Sequence, residues 1–219
     1  MIELVLKAAL SYLLGSVMGS LTVARLTGGA DIRTLGSGNA GATNALRTQG
    51  AKVGLTVLLI DLAKGWIATA VIAHLPIPAA LIMAADAGSY AAWCAPLCGI
   101  AVMLGHVYPL WYGFRGGKAV ATLLGAVLGI KARLLLPLIL TWLAAVIAFG
   151  YVGLASILAA VALPVAIALT SQSAPLLCFG ALAALLILYT HRTNIARMRA
   201  GTESRARRLW LLGTRRGPA

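Results

Sequence analysis

From Leu134 to Thr190 the chain contains no Asp, Glu, Lys or Arg. Apolar blocks of similar character occupy about 2–24, 53–74 and 88–105, and a shorter one covers 119–130. A transmembrane helix needs about 20 mostly apolar residues to cross a hydrocarbon core of about 30 Å. Blocks of that length, without the period-3.6 or period-2 alternation of a half-buried element, read as membrane-spanning helices. With 61% hydrophobic and 11% charged residues, the composition excludes an ordinary soluble protein.

The charge lies mostly between and after the blocks. A net charge of +13 would suggest nucleic acid in a soluble protein, but its distribution argues otherwise. Eight arginines (Arg192, Arg197, Arg199, Arg205, Arg207, Arg208, Arg215 and Arg216) stand against Glu203 alone, directly behind the last apolar block. Such a segment reads as a cytoplasmic tail on anionic lipid, at about 1 kcal/mol per basic residue near the surface. Cys94, Cys98 and Cys178 lie inside apolar blocks. Without a third or fourth ligand nearby they read as packing residues, and neither a metal site nor a disulfide framework is expected. No small-x-small cleavage site follows the first block, so an uncleaved first span is expected. Asp61 and Lys64, three apart within the second block, read as an ion pair turned into the bundle. Pro76 and Pro78 mark an uncharged outer turn, from which an apolar stretch leads through Asp86 to the next span.

Three polar islands interrupt the apolar pattern. The first runs from Arg33 to Arg47 and holds Gly36, Ser37, Gly38, Asn39, Gly41, Thr43 and Asn44. The second runs from Gly105 to Lys118 through Arg115, Gly116 and Gly117, and the third from His191 to Glu203 through Asn194. The positive-inside rule places all three on the cytoplasmic side. With the N-terminus outside, this requires an odd number of spans. The expected fold is an all-α polytopic membrane helical bundle of five to seven spans, seven favoured and one short (119–130), with a cytoplasmic C-terminus. Residues 1–219 would form a single membrane domain with a basic cytoplasmic tail at 191–219. Seven spans leave Lys131 and Arg133 outside, against the charge rule. At the shared face Arg33, Arg47, Arg115, Lys118 and Arg192 oppose only Asp31 and Glu203, a surplus suited to phosphate esters.

Several short matches fail on context. Gly36-x-Gly38-x-x-Gly41 has no preceding strand for a dinucleotide fold, and Gly116-Gly117-Lys118 lacks the first Gly and the Ser/Thr of a phosphate-binding loop, with Tyr112 and Ala119 in those places. No His carries an Asp five residues on, since Ala79, Trp111 and Ala196 stand there. A transporter of organic anions is the rival class, but transporters place their binding groups near the bilayer midplane, and these cations gather at one face. Ser37 has a structural reading as the cap of a helix starting at Asn39.

The islands together resemble the three motifs of the acyl-phosphate:glycerol-3-phosphate acyltransferase family of bacterial inner-membrane enzymes. Gly36 to Arg47 resembles the first, Gly105 to Thr122 the second and His191 to Glu203 the third. Gly15 to Gly19 and Asp61 to Gly65 also fit, so the likeness spans nearly the whole chain. Ala119 is a departure, standing where Gly is common. The resemblance implies transfer of a fatty acyl group from long-chain acyl phosphate to the 1-hydroxyl of glycerol 3-phosphate, giving lysophosphatidic acid and phosphate. It implies a multi-pass protein of the bacterial inner membrane with its active site at the cytoplasmic face. No cofactor, no metal and no nucleic acid is called for; the membrane lipid is a partner, and any protein partner would be the enzyme supplying acyl phosphate. By the family pattern Ser37, Lys118, His191 and Asn194 would be catalytic. Arg47, Gly36, Gly38, Asn39, Thr43, Gly116, Gly117, Arg115 and Glu203 would bind substrate, with the backbone N–H groups of Gly116 and Gly117 at the oxyanion. The hydroxyl proton would go to His191 or to a substrate phosphate, the latter being the favoured route.

Overall fold

The computed structural model describes residues 2–76, 87–171, 173–207 and 209–212. Pro78, Asp86, Arg208, Arg215 and Arg216 lie outside the described residues. All regular structure among the described residues is helical: α1 (Ile2–Gly15), α2 (Gly19–Thr27), α3 (Ala42–Gln49), α4 (Ala51–Trp66), α5 (Ala87–Val107), α6 (Val120–Lys131), α7 (Leu135–Phe149), α8 (Val152–Thr170), α9 (Ala174–Thr190) and α10 (Arg192–Arg199). Four helical runs are long and apolar enough to cross a membrane, and up to six if each of two bent pairs counts as one span.

The first bent pair is α1 and α2, angled 47° at Ser16–Met18; the expected single span at 2–24 is broken. A break strands backbone groups that hydrocarbon cannot satisfy. The Asp61–Lys64 pair of α4 closes it. Lys64 Nζ donates to the carbonyls of Gly15 (3.0 Å) and Val17 (2.8 Å), while the Gly19 N–H donates to Asp61 Oδ1 (3.4 Å). The cation thus sits at the C-terminus of α1 and the carboxylate at the N-terminus of α2, each at the helix end whose dipole favours it. The two side chains are buried and 3.0 Å apart, as the sequence suggested.

Glycine sets the closest helix crossings. A Cβ on Gly65 of α4 would strike the Thr122 carbonyl of α6, and one on Gly125 of α6 would strike the Leu62 carbonyl of α4. This reciprocal contact of small residues, typical of membrane helices, lays α6 flat against α4. On the other side of α6, an apolar core of Met103, Leu123, Val127, Leu138, Leu163, Phe179 and Ile187 joins α5 through α9.

The apolar run 120–149 is not one straight rod. Lys118 Nζ donates to Asn194 Oδ1, and a Cβ on Gly153 would lie 2.9 Å from Asn194 Nδ2. Both ends of the run therefore meet the same side chain, whereas 30 residues of straight helix would hold them about 45 Å apart. The chain turns back at Lys131, where φ −163° and ψ 87° interrupt the helix. Its tip lies at the far face, where Arg133 donates to the Thr170 carbonyl (3.4 Å). α6 runs away from the face of the three islands, and α7 returns to it.

Candidate active site

The first island is shaped by a buried amide. Asn44 Oδ1 accepts from the Ser37 N–H (3.0 Å), and its Nδ2 donates to the carbonyls of Ile32 (3.2 Å) and Leu35 (2.9 Å). Gly36 takes φ +56°, and a Cβ there would fall on Asn44 Oδ1. Only glycine occupies that position without strain. The helix that follows starts at Ala42 with Gly41 in the capping position, so Ser37 is not its cap. The Ser37 side chain is exposed at the loop tip instead.

Arg33 does not face the cavity as a free cation. It makes a bidentate pair with Asp31 (2.7–3.1 Å) and donates to the carbonyls of Tyr112 (3.1 Å) and Arg115 (3.4 Å). It staples the first island to the second. Asp31 is held below the usual carboxylate range, mainly by its hydrogen bonds from Arg33. Arg192 lies over the Tyr189 ring, and Arg115 is exposed outside the cavity.

In the second island the Gly116 N–H donates to the Val107 carbonyl and the Gly117 N–H to the His106 carbonyl, both at 3.1 Å. These groups close the open carbonyls at the end of α5, so they are not available to an oxyanion, contrary to expectation. Glycine is needed there for close packing: a Cβ on Gly117 would strike the ring of buried His106. That ring sits 3.5 Å from Asp61 Oδ1 and 3.2 Å from Thr122 Oγ1. Ala119 adopts φ +59°, the left-handed region that disfavours a side chain. This gives a physical reason for the glycine common at that place.

The third island bends by 52° between α9 and α10, bringing His191, Asn194 and Arg197 over the end of α6. His191 Nδ1 lies 2.8 Å from the Ile187 carbonyl. A carbonyl only accepts, so Nδ1 carries the proton and Nε2 keeps its lone pair. Burial, then the Lys118 charge, pushes the imidazole down to about 4, leaving it neutral near pH 7. Asn194 takes the Lys118 ammonium on Oδ1 and donates through Nδ2 to Glu203 (2.6 Å). Glu203 in turn accepts from Arg197 Nε (2.6 Å). Lys118 is held down to about 8, first by burial and then by the Arg197 charge, with Arg47 adding to it.

These groups ring the mouth of one cavity of about 730 Å³. Ser37, Asn39, Thr43, Arg47, Lys118, His191, Asn194 and Glu203 line it, as does Arg197, which the sequence reading passed over. Arg197 falls three residues after Asn194 on the helix, a spacing that puts both on one face. Gly36, Gly38, Gly116, Gly117 and Arg115 do not line it. Among the described residues the Arg47 guanidinium has no hydrogen-bond or ion-pair partner. Below the mouth the walls turn apolar, through Leu55 and Leu58 of α4, Leu124 of α6 and Ile139, Trp142 and Leu143 of α7. No group of three or more His, Cys, Asp or Glu suited to a metal occurs among the described residues.

A cationic mouth over an apolar chamber, set at one face of a helical membrane bundle, defines a protein that handles a phosphate ester together with an acyl chain. Comparison with known proteins narrows that class. The family model described as "Glycerol-3-phosphate acyltransferase" matches residues 5–201. Relatives of that name from Geotalea daltonii and Chlorobaculum tepidum are each 40% identical, covering 89% of this chain and 93% of their own. Among solved structures, the integral membrane glycerol 3-phosphate acyltransferase PlsY (YgiH) superposes with TM-score 0.80 in its glycerol 3-phosphate form and 0.78 in its lysophosphatidic acid form. The identities are 35% and 34%, over 92% of this chain and 94% of that one. The chain belongs to the glycerol-3-phosphate acyltransferase family and is an acyltransferase.

Proposed function

We propose that this acyltransferase uses acyl phosphate as donor and attaches the acyl group to the 1-hydroxyl of glycerol 3-phosphate. The observation that carries the reading is the convergence of Arg47, Lys118 and Arg197 on one mouth, directly above an apolar chamber, where Glu203 holds Arg197 and the other lining carboxylate, Asp61, is already paired with Lys64. The structural relative's two crystal forms, with glycerol 3-phosphate and lysophosphatidic acid, support the same acceptor and product. Arg47 and Lys118 hold the two phosphates; Ser37 and Asn194 orient the acceptor and the donor. The acyl chain lies between α4 and α7.

The glycerol oxygen attacks the acyl carbonyl carbon, the bond from that carbon to the bridging phosphate oxygen breaks, and inorganic phosphate leaves. His191, held near 4, is a weak base. The hydroxyl proton therefore passes to the departing phosphate, which leaves as the monohydrogen ion. His191 Nε2 accepts the hydroxyl hydrogen bond and aims the nucleophile. Acyl phosphate is already activated, so alignment and charge neutralisation supply the catalysis.

The islands face the cytoplasm of the bacterial inner membrane and the N-terminus lies outside, with seven crossings of which α6 is the short one. The reversal at Lys131 and the basic residues at the island face support this. The test is turnover of purified protein with palmitoyl phosphate or palmitoyl-CoA and glycerol 3-phosphate, scoring lysophosphatidic acid and released phosphate. Product from acyl phosphate alone is expected; equal product from palmitoyl-CoA would overturn the donor assignment.

A further inference from the structure

Residues 203–207 and 209–212 lie beyond the segment matched by the family model, which ends at 201, and they pack back on the end of α7. The Ala206 N–H donates to the Gly150 carbonyl (2.8 Å), Trp210 Nε1 to the Ala148 carbonyl (3.1 Å) and the Leu212 N–H to the Ile147 carbonyl (3.3 Å). These are carbonyls at the end of α7 and the turn after it, groups that a helix cannot satisfy by itself. The Trp210 ring packs against Gly150, where a Cβ would lie 2.9 Å from its Cγ. The Arg205 guanidinium lies 4.0 Å from the Trp210 ring centroid and 4.7 Å from that of Tyr151. The segment is a strap across one helix end, at the same face as the three islands.

Its outer side combines two features. Leu211 and Leu212 are 70% and 74% exposed, and Arg207, four and five residues earlier, is exposed too. Apolar side chains next to arginines, at the level of the last turn of a membrane helix, fit the boundary between acyl chains and phosphate headgroups. Glu203, at the head of the strap, holds Asn194 and Arg197.

We infer that the strap is a lipid-reading surface: Leu211 and Leu212 enter the acyl boundary, Arg207 takes the phosphate of an anionic phospholipid, and the seated strap fixes Glu203 against Asn194. The occupant is membrane lipid, since the arginines of this face call for negative charge and the leucines for hydrocarbon. The inference rests on the island face being a membrane surface and not on the choice of acyl donor.

Hydrogen exchange on the full chain, one copy per nanodisc and without substrates, tests it. Amides of 206–212 are expected to exchange about tenfold more slowly in discs with anionic phospholipid than in neutral ones. Leu211→Ser/Leu212→Ser and Arg207→Gln remove the difference, and Arg207→Lys keeps it. In the same discs KM for glycerol 3-phosphate falls about threefold with anionic lipid in the wild type only, although surface charge alone would repel the substrate and raise KM. Equal exchange in both lipids would overturn the inference. So would protection that requires two copies per disc, which would assign the surface to a second copy of the chain.

Discussion

Two charge clusters stand close together in this molecule, and they are built to opposite ends. Asp61, Lys64 and His106 are all buried; Asp61 Oδ1 holds Lys64, the His106 ring and the Gly19 N–H, and Lys64 closes the carbonyls of the broken first span. Arg47, Lys118 and Arg197 ring an open cavity in which, among the described residues, Glu203 is the one carboxylate bonded to them, since Asp61, which also reaches its wall, is paired with Lys64. The first cluster is closed: its charges complete backbone that hydrocarbon would otherwise leave unpaired. The second is left short of negative charge, and the shortfall is the site. Cation content alone does not separate them; unspent hydrogen-bonding capacity does.

Breaking the open cluster has the largest expected effect on chemistry. Lys118→Ala should lower kcat/KM by about 10²–10³-fold, with the melting temperature nearly unchanged. Breaking the closed cluster reverses the pattern. Lys64→Met leaves Asp61 as an uncompensated buried charge and should cost about 3–5 kcal/mol of stability, read by thermal unfolding in detergent. Adding Asp61→Asn should recover only part of that, because the Gly15 and Val17 carbonyls stay open. Full recovery would mean that the pair merely satisfies itself.

The pH profile sharpens the contrast further. With Lys118 held down to about 8, its charge is complete below that pH and is lost as pH rises through it, so kcat/KM should fall on the alkaline side. On the acid side it should fall near pH about 6, as the substrate phosphates take up a second proton. His191, at about 4, adds no limb between. Lys118→Arg should move the alkaline limb upward, whatever the height of its plateau. The smallest effect is expected at Ala119. Changing it to Gly relieves a left-handed backbone worth about 1–2 kcal/mol, against about 0.5–1 kcal/mol of added chain entropy. A rise in melting temperature of a few degrees at most and unchanged turnover would agree.

Much of the architecture was legible in the sequence. The long apolar blocks form helices apolar enough to cross a membrane, and charge placement gathered three distant islands at one face. The buried Asp61–Lys64 pair followed from the cost of a lone charge in a span. What residue types could not show was direction. The reversal at Lys131, by contrast, was marked, since Lys131 and Arg133 divide the short block 119–130 from the next. Gly116 and Gly117 advertise free N–H groups, yet the end of α5 consumes them. Arg33 counts as positive charge in any reading of the sequence, but Asp31 two residues away takes it. Arg197 lay within the third motif; its helical spacing from Asn194 was the signal that would have found it.

The central claim is that the open cluster performs the chemistry while the closed one supports the fold. The measurement that tests it most directly is kcat/KM for palmitoyl phosphate and for glycerol 3-phosphate, normalised to folded protein, in Lys118→Ala and Lys64→Met side by side. The account predicts losses of about 10²-fold or more for Lys118→Ala and changes within about threefold for Lys64→Met. Comparable losses in both, per folded molecule, would contradict it.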